Sequence, residues 1–176
     1  MLFAKDKNGI RTYIEDAIRG DSYFCPVCCA PLVQKKGKIR IDHFAHKSKC
    51  SDSWHYDMSE WHTNWQNRFP VDCQEIVKEA DGFFHRADVL IEKCKTVIEF
   101  QHSKMAPDEF KERTQFYNKL GYKVIWVFDF SEEYEMDKIR ISGSAEAKYL
   151  RWNRNKSTFD YIDELENVAL HVFLGE

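Results

Sequence analysis

Phe83-Phe84-His85-Arg86-Ala87-Asp88-Val89-Leu90-Ile91, a short break at Glu92-Lys93-Cys94-Lys95, and Thr96-Val97-Ile98-Glu99-Phe100-Gln101 form the stretch on which the fold turns. Both runs are rich in β-branched and aromatic residues, so they read as strands joined by a tight connection. Asp is a poor strand residue, yet Asp88 lies in the apolar run from Ala87 to Ile91. Glu99 is flanked in the same way by Val97, Ile98 and Phe100. A charge in such surroundings is costly unless it is paired or binds a metal.

A hairpin that turns symmetrically about Lys93 and Cys94 sets Asp88 opposite Glu99 and Arg86 opposite Gln101. Opposed side chains on one face have Cβ atoms about 4.5–5.5 Å apart. Glu99 and Gln101 share a face because strand periodicity is two. Two carboxylates and a carboxamide are thus expected to converge within reach of one ion. Two carboxylates this close repel unless a cation or a proton separates them. An oxygen-rich site of this kind suits Mg²⁺ or Mn²⁺. Such an ion activates water and neutralises a phosphodiester transition state. His85 falls on the face opposite Asp88 and is not expected as a ligand.

Outward from that hairpin, Met58, Trp61, Trp65 and Phe69 recur at helical spacing, and Pro70 stops the helix. Gln74 to Glu79 reads as a strand and Asp81-Gly82 as its turn. Pro107 opens a helix that runs to about Leu120 and that Gly121 caps. Lys123-Val124-Ile125-Trp126-Val127-Phe128 reads as a buried strand. The order is therefore helix, three strands, helix, strand. Val168 to Leu174 is expected as a final strand, and Glu132 to Asp137 as an acidic connector.

The N-terminal third carries different chemistry. Four of the six cysteines are Cys25, Cys28, Cys29 and Cys50, and His43 and His46 lie between the last two. A C-x2-C turn lets two thiolates grip one ion from a tight knuckle, and a second pair from the far end of a hairpin completes a tetrahedron. The expected hairpin is Leu32 to Ile41, turning near Lys36-Gly37. His46 with Cys50 is the favoured second pair, His43 is the alternate ligand, and Cys29 is a bystander. A structural Zn²⁺ site is expected, in a segment too small to bury a core of its own.

With a formal net charge of -3 over 176 residues, the chain has no global pull toward nucleic acid. Any DNA contact must use local patches, of which Lys35-Lys36-Gly37-Lys38 at the hairpin tip is the leading candidate. No apolar run approaches the roughly 18 residues of a membrane span. The first residues lack the apolar region of a secretory signal, so a cytoplasmic protein with reduced cysteines is expected.

Several stretches carry a family resemblance: Cys25-Pro26-Val27-Cys28, His43-Phe44-Ala45-His46, Ser59-Glu60-Trp61-His62, Arg86-Ala87-Asp88-Val89, Glu99-Phe100-Gln101-His102-Ser103, Arg113 with Tyr117, and Tyr122 to Trp126. They cover residues 1 to 130 in order and resemble the competence protein CoiA-like family, and the element order looks like the PD-(D/E)XK nuclease fold. The resemblance implies an α/β, restriction-endonuclease-like core over residues 56–176, with a zinc-binding β-hairpin module over residues 1–55. It implies a metal-dependent hydrolase that cuts single- or double-stranded DNA. Asp88 and Glu99 would hold the ion, Gln101 would stand beside the water, Glu60 from the preceding helix would be a further acid, and Arg113 would face an acid near the site or a phosphate. Gln101 departs from the usual motif Lys, which keeps a second expectation open: a zinc-stabilised nucleic-acid-binding module that does not cut. The chain is also shorter than the usual member of that family.

Overall fold

The computed structural model describes residues 1–37, 41–47, 50, 59–144, 147–152, 159 and 161–175. The chain divides into two compact units, Met1–Leu90 and Ile91–Glu176. Among the described residues, no helix is long and apolar enough to cross a membrane.

The first unit begins with five strands: β1 (Phe3–Asp6), β2 (Arg11–Tyr13), β3 (Tyr23–Phe24), β4 (Pro31–Lys35) and β5 (His43–His46). They form one antiparallel sheet in the order β2-β1-β3-β4-β5. Met1 and Phe44 exchange backbone hydrogen bonds, at 3.3 Å from the Met1 amine and 2.9 Å to the Met1 carbonyl, so the sheet curls back on itself. Leu2, Phe3, Ile14, Tyr23, Leu32 and Phe44 fill its interior. The module thus has a core of its own, contrary to the expectation from its length. The apolar start of the chain supplies residues that the hairpin alone lacks. The hairpin also differs from expectation. Leu32 pairs with His46 and Lys35 with His43, a register whose centre lies beyond Lys36-Gly37, so those two residues are not the turn.

The same unit continues into α1 (Glu60–Gln66), β6 (Gln74–Ala80) and β7 (Phe83–Ile91). Ser59 caps α1, its hydroxyl accepting from the His62 N–H at 3.1 Å. Met58 lies outside the described residues, and the helix ends short of Phe69, which closes a turn onto Gln66 just before Pro70. β6 and β7 make an antiparallel hairpin around Asp81-Gly82, and both turn residues are left-handed.

The second unit holds β8 (Thr96–Gln101), α2 (Pro107–Lys119), β9 (Lys123–Asp129), α3 (Ser131–Glu135), the antiparallel pair β10 (Ile139–Gly143) and β11 (Lys148–Trp152), and β12 (Val168–Phe173). β8, α2 and β9 form a parallel βαβ unit, and β12 adds parallel to β9. A strand covered on both faces reads as a continuous apolar run, and β8 is buried at every position. Pro107 at the first turn, Asp108 and Glu109 after it, and left-handed Gly121 beyond Leu120 set the bounds of α2. Trp126 donates to the Thr114 hydroxyl at 3.0 Å, locking α2 to β9.

Candidate functional site

The thiolate site comes first because its ligands are local. Cys25 and Cys28 flank a knuckle in which the Val27 N–H donates to the Cys25 sulfur at 3.3 Å, and left-handed Cys29 turns the chain away, exposed. Cys25, Cys28, His46 and Cys50 bring one ligand atom each to within 4.8 Å of one another. A tetrahedron with zinc–sulfur bonds of about 2.3 Å has sulfur–sulfur edges of about 3.8 Å, and slightly shorter edges to nitrogen. The observed separations are 3.9 Å for Cys25 Sγ to Cys50 Sγ and 3.3 Å for Cys28 Sγ to His46 Nε2. No described cysteine is in a disulfide. Burial pushes the Cys25 thiol up to about 12, partly opposed by the Cys28 and Val27 amides, so a cation must displace its proton. Donor set and distances fit a structural zinc.

His43 stands outside this group, with Nδ1 2.8 Å from the Ile41 carbonyl. The physical reason is parity. His43 and His46 are three residues apart on β5 and project to opposite faces, so only one can meet the cysteines. Of the basic tip, Lys35 is exposed, Lys36 donates to the Ala17 carbonyl at 3.0 Å, and Lys38 lies outside the described residues.

In the first unit, Asp88 on β7 meets α1 at His62, not at Glu60. His62 Nε2 lies 3.2 Å from Asp88 Oδ1, and both side chains are largely shielded from solvent. Glu60, two residues earlier on the helix, is exposed. Ser59 was the legible cue: a cap bonded to His62 fixes that residue's direction.

Beside this pair, Glu75 is fully buried and adopts a left-handed backbone, φ 45°, within β6. Its carboxylate accepts from the Leu2 and Phe3 amides at 2.8 and 3.1 Å. Burial alone would raise its pKa. Arg86, the chain's amino group and the two amides outweigh that and hold it below the usual carboxylate range. Arg11 adds a second tie, donating to the Gln74 carbonyl at 2.5 Å while stacking on Phe3.

In the second unit, Glu99 is fully buried on β8 and takes a hydrogen bond from buried Arg113 of α2. Arg113 also lies 3.5 Å from Glu109 and over the Trp126 ring. Its guanidinium is therefore engaged with acids inside the unit rather than presented on the surface. Gln101, also buried, spends its amide N–H₂ on Ser103, at 2.8 Å to the carbonyl and 3.1 Å to the hydroxyl. That fixes the carboxamide orientation. At the ends of β8 and β9, His102 Nδ1 lies 2.8 Å from Asp129 Oδ2.

The comparisons with known proteins agree with this division of chemistry. Residues 9–53 match the competence protein CoiA N-terminal domain, and residues 56–169 match the competence protein CoiA nuclease-like domain. Competence protein CoiA of Bacillus subtilis (strain 168) is 27% identical over 122 residues. The match covers 62% of this chain and 32% of that protein, so the chain spans about a third of the relative's length. No solved structure matches. With the nuclease-like domain covering most of its length, the chain belongs to the competence protein CoiA family.

Proposed function

We propose that this protein is a divalent-metal-dependent nuclease that hydrolyses DNA phosphodiester bonds, with Asp88 and Glu99 as the acids that hold the ion. The observation that carries the reading is Glu99, an ionisable acid fully buried at the middle of β8 inside a nuclease-like domain. Buried acids of this kind mark sites where charge is needed. The proposal includes a PD-(D/E)XK arrangement of the core, a boundary near residue 55 between zinc module and nuclease-like domain, and a cytoplasmic location.

Mg²⁺ or Mn²⁺ at these acids would activate the attacking water and neutralise phosphate charge. The remaining work falls to the chain's own groups. Asp88 and Glu99 supply negative oxygen donors. Gln101, its N–H₂ committed to Ser103, directs its carbonyl as an acceptor for the attacking water. Arg113 holds the Glu99 carboxylate in one orientation and supplies a cation where the usual motif Lys is missing. The zinc module fixes the N-terminal sheet, and Lys35 and Lys38 offer phosphate contacts.

The engagement of Glu99 by Arg113 and the lack of a charge at Gln101 favour one alternative, a nucleic-acid-binding module that does not cut. Incubation with labelled single- and double-stranded DNA in Mg²⁺, Mn²⁺ or EDTA decides between them. Metal-dependent products that EDTA abolishes support the nuclease. Tight binding with no cleavage in either metal supports the alternative. Gln101→Lys then probes the carboxamide: retained activity means it only orients water, and loss means its carbonyl is required, because an ammonium cannot accept.

A further inference from the structure

We infer that His62 is itself a ligand of the nuclease-site ion, so that the site prefers a first-row transition metal such as Mn²⁺ to Mg²⁺; this rests on the metal-dependent reading above. The first ground is distance. An octahedral ion with bonds of about 2.1 Å has adjacent ligands about 3.0 Å apart. His62 Nε2 and Asp88 Oδ1 are 3.2 Å apart. A charge-assisted hydrogen bond is shorter, about 2.7–2.9 Å. The protein contains that comparison: His102 and Asp129 meet at 2.8 Å. The two imidazole–carboxylate pairs therefore differ in spacing, and the wider one matches the edge of a coordination polyhedron.

The second ground is Gln66. It lies one turn after His62 on the same face of α1. Its side chain is fully buried, and neither its amide nitrogen nor its carbonyl oxygen has a hydrogen-bond partner among the described residues. A buried amide left unsatisfied destabilises the fold. A hydrated ion beside His62 supplies what that amide needs, since its waters both donate and accept. The Ser59 cap holds the His62 backbone in place for this role.

Imidazole is a borderline ligand that suits transition metals, whereas a purely oxygen site suits Mg²⁺. His62 faces Asp88 from the helix on which the resemblance offered Glu60 as a further acid, and an imidazole there changes the metal the site selects.

The test is pulsed electron paramagnetic resonance on zinc-loaded protein titrated with Mn²⁺, with Mn²⁺ and Mg²⁺ affinities measured by calorimetry. Wild-type protein should bind one Mn²⁺ and show modulation from one directly bound nitrogen. His62→Gln should lose that modulation and bind Mn²⁺ about 10–100-fold more weakly. His62→Glu should keep an ion but narrow the preference for Mn²⁺ over Mg²⁺. Zinc content and thermal midpoint identify any variant that has not folded, and the wild-type spectrum stands without a variant. Mn²⁺ bound without nitrogen modulation, or with modulation that persists in folded His62→Gln, overturns the inference and leaves the nuclease reading intact. Failure of wild-type protein to bind either ion overturns both.

Discussion

The two candidate metal centres of this chain are built in opposite ways. The Cys25-Cys28-His46-Cys50 group is pre-assembled from the knuckle after β3, the end of β5 and Cys50 beyond it, with ligand atoms already spaced for a tetrahedron. The acids of the nuclease-like domain are each engaged by a basic partner, Asp88 by His62 and Glu99 by Arg113. Thiolates need the metal to exist at all in a buried site, so the ligand set is complete or worthless. Carboxylates must survive metal-free, so the fold supplies partners that an ion shares or displaces. A structural ion is therefore expected to stay bound through purification, and a catalytic one to exchange.

The largest effect that would break this contrast is at the zinc centre. Cys25→Ser or Cys28→Ser should abolish zinc binding, read by elemental analysis against one zinc per wild-type chain. The binding free energy of structural zinc, about 10–16 kcal/mol, is folding free energy. The ties from Glu75 and Arg11 should spread the damage through residues 1–90, read by proteolysis, rather than confine it to residues 20–55. Unfolding limited to the knuckle would break the comparison.

Next come the two acids. Asp88→Asn should lower cleavage at least about 100-fold, beyond the 10–100-fold typical of residues that only support a metal ligand, with unchanged thermal stability and DNA binding equal or tighter. Glu99→Gln should also abolish cleavage, but it removes the charge facing Arg113. Breaking a buried pair costs about 3–5 kcal/mol, so its thermal midpoint should fall. Equal stability of the two variants would deny the asymmetry between them.

Glu75→Gln sharpens the comparison further, because Glu75 is a buried acid held by amides and by a cation with no metal role. Its carboxyl is held below the ordinary range, so its stabilisation is fully present above the unfolded-state pKa. It is lost as pH falls through the lower folded-state value. The variant should be less stable at neutral pH by a few kcal/mol, about 3, and its acid-unfolding limb should be shallower. Denaturation at several pH values checks both.

The smallest effect is at the basic loop. Lys35→Ala should reduce the log–log salt slope of DNA binding by about one unit. Lys36→Ala should instead loosen the loop, since its ammonium is bound to Ala17. Equal slope changes would return Lys36 to the DNA contact.

What the sequence made legible follows from range. The zinc ligands lie within one short segment, and the parity of β5 would have separated His46 from His43 had the hairpin register been known. The helix from Pro107, the strand at Lys123 and the final strand at Val168 were readable from caps and apolar runs. The strands before Tyr23 were not read, because three- or four-residue strands leave no periodic signal. Arg113 was already set toward an acid near the site, and it meets Glu99; the partner of Asp88 was hidden for another reason. The resemblance offered Glu60 as a further acid, but which residue of α1 faces Asp88 depends on how that helix packs against the sheet, and spacing does not fix it.

The left-handed backbone at Glu75 has one more consequence. A non-glycine residue in that conformation stores about 1–3 kcal/mol of strain, and here the two hydrogen bonds to Leu2 and Phe3 hold it. Glycine at this position would relax the backbone and cut the tie. The chain's first strand and the hairpin bearing Asp88 are thus committed to open together. In hydrogen exchange the amides of Leu2 and Phe3 should share the protection of β6 and β7, as one cooperative opening unit. The order of the N-terminal residues then becomes a reporter on the strand that carries the proposed active-site acid.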